Sequence, residues 1–274
     1  MNLDIYTEEM SKSIWDKSFF MDKIGDTKLV IDFGCADGAM IRMLGKLFPN
    51  TTFYGYDSNN ELIDKAYQNV TIDMTNIKFF RYARSIGTNG YVFTENGLED
   101  MLALARKNFK SDEICLNFSS VLHEIFSSSK DGQKVIQHIV DVLEPKFITI
   151  RDMYFPEEQD NYISQIFKVY MLDKCDQKYI DKFVEKFGRI DHTKKLIHFL
   201  MKYQWKDNGY DQELEEDYFS WTLDQFLALF KPFYIEYTPI YENHYMLPYY
   251  YEQWRELIGS QVHTHVQFIL RRND

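Results

Sequence analysis

Leu29-Val-Ile-Asp-Phe-Gly-Cys-Ala-Asp-Gly38 is the stretch on which the fold turns. A short apolar run rich in β-branched residues ends in a carboxylate, Asp32, and meets two glycines four apart, Gly34 and Gly38. AMIRMLGKLF at 39–48 follows with apolar residues at helical spacing and stops at Pro49, so the order is strand, turn, helix. Glycine lets a backbone pass close to a ligand, and the helix N-terminus beyond it offers free N–H groups. The turn is therefore expected to hold something polar. It does not meet the dinucleotide fingerprint G-x-G-x-x-G, because Ala36 stands at the second glycine and Met40 near the third. A ligand without phosphates fits better than a phosphate cradle.

Working outward, the same alternation repeats. TFYGYD at 52–57 reads as a second strand, ELIDKAYQNV at 61–70 as a helix and IKFFRYA at 77–83 as a third strand. GLEDMLALARKNFK at 97–110 reads as a helix and EICLNF at 113–118 as a strand; a helix at 121–127 or 131–143 leads to strand KFITIRD at 146–152. Strands and helices at this pitch make parallel βαβ units with right-handed crossovers, hence an α/β doubly wound sheet. Upstream, Met10, Ile14, Trp15, Phe19 and Ile24 lie near helical spacing and predict one amphipathic lead-in helix. Between 153 and 220 there are helical stretches and no convincing strand, which predicts an inserted cap. Residues 1–152 and 221–274 then form one α/β domain, the latter through TLDQFLALF, FYIEYTPI and HVQFILRR.

With 274 residues, 45% apolar and 27% charged, the chain can bury a substantial core and is neither disordered nor a coiled coil. Its apolar runs are too short for a membrane span and MNLDIYTEEM is acidic where a signal peptide is basic, so a soluble, cytoplasmic protein is expected. Cys35, Cys115 and Cys175 are an odd set without paired spacing, which predicts free thiols. A net charge of −11 disfavours a nucleic-acid partner without excluding a local basic patch.

Asp32-Phe-Gly34-Cys-Ala36-Asp-Gly38 resembles the acid-x-G-x-G-x-G motif that closes the first strand of class I S-adenosylmethionine-dependent methyltransferases, with Ala36 at the middle glycine. That family has a second acid, at the end of strand two, which accepts hydrogen bonds from both ribose hydroxyls; Asp57 stands there, nineteen residues after Gly38. Over about half the chain, the resemblance implies a Rossmann-like, mostly parallel seven-stranded sheet carrying a helical cap insertion. It also implies S-adenosyl-L-methionine as cofactor, held by Asp32, Gly34, Cys35, Ala36, Gly38, Asp57 and Ser58. Asn117 and Phe118 resemble the end of strand four whose backbone holds the methionine moiety. After strand three the chain departs, reading Tyr82-Ala83-Arg84-Ser85 where many members place an acid or amide against the adenine. Independently of the family, a ribose diol needs a two-oxygen acceptor, which a carboxylate supplies; Asp57 could equally cap the helix starting near Asn60.

Ligands of such sheets bind beyond the carboxyl ends of the strands. His123, just past strand four, is a candidate general base. Arg151, ending strand five, either contacts substrate or pairs with Asp152. Tyr241, Tyr245, Tyr249, Tyr250, Tyr251 and Trp254 predict an aromatic acceptor pocket or a well-packed cap. His123-Glu124 lacks the second histidine of H-E-x-x-H, and His263-x-His265 lacks a third ligand, so no metal is expected. The expected function is methyl transfer to an oxygen or nitrogen of a small molecule. The alternatives are an RNA or protein methyltransferase, or a non-catalytic binding module.

Overall fold

A computed structural model describes residues 3–11, 13–81, 97–128, 130–173, 175–237, 240–241 and 263–273. Five strands run parallel: β1 (Leu29–Phe33), β2 (Thr52–Asp57), β3 (Ile77–Arg81), β4 (Ile114–Ser119) and β5 (Phe147–Met153). β6 (Phe233–Tyr237) and the two-residue β7 (Ile240–Tyr241) both pair antiparallel with β8 (His265–Arg272), which is itself antiparallel to β5. The order along the sheet is β3-β2-β1-β4-β5-β8-β6, with β7 continuing beside β8. The doubly wound, mostly parallel sheet read from the sequence is therefore present. β6 points the same way as β5, although its neighbour β8 runs against it.

Crossovers after each parallel strand supply the outer layers: α3 (Ala39–Leu47), α4 (Asn60–Gln68), α5 (Gly97–Asn108), α6 (Leu122–Ser128) and α7 (Lys130–Leu143). The two helical readings of 121–143 are both realised, as α6 and α7. Because side chains alternate across a strand, each strand feeds two cores. Leu29, Ile31, Leu116 and Phe118 face one, and Val30, Cys115 and Phe147 face the other. Beyond β5 come α8 (Gln165–Leu172), α9 (Gln177–Phe187), α10 (Thr193–Tyr203) and α11 (Tyr210–Glu213), packed on an apolar cluster that includes Phe183, Leu196 and Phe199. α12 (Leu223–Leu229) then returns the chain to the sheet, capped by Thr222 and Gln225 in reciprocal hydrogen bonds.

The single lead-in helix expected at the N-terminus is instead two, α1 (Leu3–Ser11) and α2 (Ile14–Lys17). Serines flank the break, and Ser11 Oγ turns back to donate to the Glu8 carbonyl, the local competition that disfavours serine inside a helix. All three cysteines are free. Among the described residues no helix is long and apolar enough to cross a membrane.

Gly38 adopts φ +72° at the start of α3, and a Cβ there would run into the Phe79 ring. Gly38→Ala is expected to cost about 2–4 kcal/mol, combining left-handed strain with overpacking; urea unfolding of the two proteins checks it.

Candidate active site

The carboxyl ends of β1, β2, β4 and β5 open into one cavity of about 820 Å³. The glycine turn forms one wall. Gly34 has φ +82° and lies so close to Val121 that a Cβ would sit 2.7 Å from its methyl. Ala36 takes φ +49°, a glycine-like conformation that costs an alanine about 1–2 kcal/mol. Its N–H donates to Asp57 Oδ2 at 2.9 Å, while Asp57 Oδ1 accepts from the Asn59 N–H at 2.8 Å. The N-cap of α4 is Asn59, so Asp57 is not the cap of that helix. Its carboxylate clasps the turn and keeps lone pairs for a ligand. Burial raises the Asp57 pKa, opposed by those two N–H donors.

Asp32, Gly34, Cys35, Ala36, Asp57 and Ser58 all border the cavity. Gly38 sits behind it against Phe79. Asn117 and Phe118 do not reach it: Phe118 packs on Phe33 and Phe230. Asn117 donates to Asp32 Oδ1 at 2.7 Å and accepts from Thr149 Oγ1 at 2.8 Å. Ser119 and Ser120 form the wall at this point, because β4 runs one residue further than its sequence pattern indicates.

Two groups on the cavity floor carry opposite charge. Burial lifts the Asp32 carboxyl to about 6, against the Asn117 hydrogen bond and the nearby Lys17. Lys17, on α2, is buried and faces the same space. Burial and the Arg151 charge lower it to about 8, against the pull of Asp32, Asp16 and Asp37. The sequence reading missed Lys17, although a lysine within the apolar series Ile14, Met21 and Ile24 was the available signal.

Arg151 and Asp152 are adjacent on a strand, so they point to opposite faces and do not pair with each other. Arg151 Nε and Nη2 bind Asp16 Oδ2 at 3.0 and 2.9 Å, and Nη1 donates to Ser120 Oγ at 2.7 Å. Asp152 Oδ2 accepts the Leu122 N–H at 2.6 Å and Oδ1 accepts the Met153 N–H at 2.6 Å. Oδ1 also receives His123 Nδ1 at 2.6 Å. Burial alone would strip the His123 proton; Asp152, then Glu216, outweigh it and raise the imidazole to about 10. The imidazolium in turn holds the Asp152 carboxyl below its ordinary value despite burial. Across the cavity the segment after α11 brings Glu215, Glu216 and Tyr218, and the surrounding protein pushes the cavity-facing Glu124 up to about 8.

His265 is fully buried, its Nδ1 2.9 Å from Thr264 Oγ1. Tyr82–Ser85 and Tyr245, Tyr249, Tyr250, Tyr251 and Trp254 lie outside the described residues, as does the side chain of Tyr241.

Because the folded chain binds the Asp32 proton more tightly than the unfolded chain, ionising Asp32 costs stability. That cost is absent below the unfolded value of 3.8 and grows as pH rises through about 6. Asp32→Asn is expected to match the parent in acid and exceed it by about 2–3 kcal/mol above neutrality, read from urea unfolding across pH.

No protein-family model and no curated protein matches the sequence. Solved structures do. An O-methyltransferase family protein from Burkholderia thailandensis superposes with TM-score 0.51 at 11% identity over 99% of this chain, which spans 58% of that one. An S-adenosylmethionine-dependent methyltransferase from Mesorhizobium loti gives TM-score 0.49 at 13% identity, covering 95% of this chain and 97% of its own. A sarcosine dimethylglycine methyltransferase homologue from Galdieria sulphuraria gives 0.48 at 12%, covering 97% and 86%. With its strand order and antiparallel β8, the chain has the class I S-adenosylmethionine-dependent methyltransferase fold.

Proposed function

We propose that the chain binds S-adenosyl-L-methionine in this cavity and transfers its methyl group to an oxygen or nitrogen of a small molecule. The observation that carries the reading is the buried pair Lys17 and Asp32 beside the glycine turn. An α-amino acid presents one carboxylate and one ammonium, and a floor with one cation and one anion is its complement. Asp57, with Ser58 beside it, suits the ribose diol, and the Gly34–Ala36 backbone lines the same cavity. The bound cofactor supplies an already activated methyl, so the chain's task is alignment and exclusion of water.

Of the two catalytic candidates, Arg151 acts as a positioning residue, since its guanidinium is committed to Asp16 and Ser120. It ties α2, and with it Lys17, to the end of β5. His123 faces the acceptor side, close to Glu124 and Glu216. The carboxylates of Glu215 and Glu216 on this wall repel a phosphate backbone, which favours a small acceptor over RNA.

Calorimetric titration of the protein with S-adenosylhomocysteine is expected to give saturable heat. Lys17→Met and Asp57→Ala should each weaken binding roughly tenfold to a hundredfold, about 1.4–2.7 kcal/mol. No heat with the parent protein, or unchanged affinity in both variants, overturns the assignment.

A further inference from the structure

We infer that His123, Glu124 and Glu216 form a site for one divalent transition-metal ion on the acceptor wall of the cavity. One imidazole nitrogen and two carboxylate oxygens from these residues lie within 4.8 Å of one another. An ion about 2.1 Å from each ligand needs slightly closer spacing, which small rotations of two flexible glutamates provide. All three residues border the cavity, so water or an acceptor atom can complete the coordination shell.

The histidine is prepared for this role independently of the two acids. Its side chain is 3% exposed and its Nδ1 side is fixed on Asp152 Oδ1 at 2.6 Å. Asp152 is itself immobilised by the backbone N–H groups of Val121, Leu122, His123 and Met153. Nε2 is thereby aimed at the cluster, where Glu216 Oε2 stands 3.6 Å away; the ion takes the place of the Nε2 proton, which is released to solvent, so binding strengthens as pH rises. A carboxylate that orients a histidine by one nitrogen and frees the other is the recurrent support of metal-ligating imidazoles. The buried lysine of the cap, Lys202, is engaged elsewhere: its Nζ donates to the Glu213 carbonyl and lies 3.6 Å over the Tyr218 ring.

One imidazole with two carboxylates suits Mn²⁺, Fe²⁺, Co²⁺ or Zn²⁺ better than Ca²⁺ or Mg²⁺, which prefer oxygen alone, or Cu⁺, which prefers thiolate. Sequence spacing offered only the His123-Glu124 pair; the third ligand comes from the helical insertion. A bound ion would polarise an acceptor hydroxyl and lower its pKa, a use that rests on the function proposed above; metal binding itself does not.

The test is titration of the full chain with MnCl₂, followed by loss of the free-ion paramagnetic resonance signal, and with ZnCl₂ by calorimetry, both without cofactor. One ion per chain is expected. Glu124→Gln and Glu216→Gln should each weaken it at least tenfold, and Asp152→Asn tenfold to a hundredfold. Both glutamates open onto the cavity, so these variants decide the matter even where Asp152→Asn or His123→Ala misfolds. Absence of saturable binding of either ion, or unchanged affinity in the double glutamate variant, overturns the site. The parallel titration with S-adenosylhomocysteine keeps the readings apart: metal binding without cofactor binding supports this site and sinks the proposed function, and the reverse sinks the site alone.

Discussion

A row of buried hydrogen bonds, Asp32 to Asn117 to Thr149, runs across three neighbouring strands and sets the height at which they end. Asp32 is the register partner of Asn117, and Asn117 of Thr149, and the side chains bond in the same order as the backbones. A slip of one residue would turn each side chain to the other face of the sheet. It would strand a carboxylate, an amide and a hydroxyl in the core at about 1–3 kcal/mol each, more for the charge. The row therefore fixes the register in the middle of the sheet, where apolar packing alone would tolerate several. With the register fixed, the glycine turn, Ser119 and Asp152 emerge at one level, and the cavity exists because they do.

The end of β5 then organises what surrounds that level. Arg151 reaches one way to Asp16 and Ser120, and Asp152 reaches the other way to His123 and the first N–H groups of α6. One strand end thus holds both the lead-in helix that carries Lys17 and the helix that carries His123. Of the three non-glycine residues with positive φ among the described residues, Glu144 follows α7 and the other two lie at the same place, Ala36 at +49° and Ser120 at +56°. Both strained residues donate their N–H, to Asp57 and to the Arg151 carbonyl, so a hydrogen bond offsets each departure from the preferred conformation.

What could be read from the sequence was whatever has a local cause. The strand and helix alternation follows from apolar periodicity, and the turn at Gly34–Gly38 from residues that tolerate positive φ. Asp57 was legible because the end of a strand is legible. Asn117 and Phe118 stand at the end of β4, but alternation sends the Phe118 side chain into the core and spends that of Asn117 on Asp32. The pairing of His123 with Asp152 joins two segments through the sheet, and Glu216 comes from the helical stretch after β5, whose periodicity reports only the apolar cluster it packs on. No spacing rule connects such residues. Lys17 lies between these cases: its sequence position broke an apolar stripe, but only the fold says what it faces.

The cavity is therefore divided by charge, and the division constrains its chemistry. Its floor is nearly neutral, one lysine against one aspartate, and can receive a zwitterion without leaving either partner uncompensated. The wall that carries His123 gathers acids instead. Glu124 and Glu216 share a single imidazole that Asp152 already claims at 2.6 Å, and carboxylates crowded in a partly desolvated space repel each other until protonated or matched by a cation. A molecule entering on that side passes the carboxylates of Glu215 and Glu216, which disfavour an anion. Protons already balance much of that wall, since Glu124 is held up to about 8 and His123 up to about 10, so an ion entering there takes the place of protons, whereas the floor is balanced by Lys17 and Asp32 themselves.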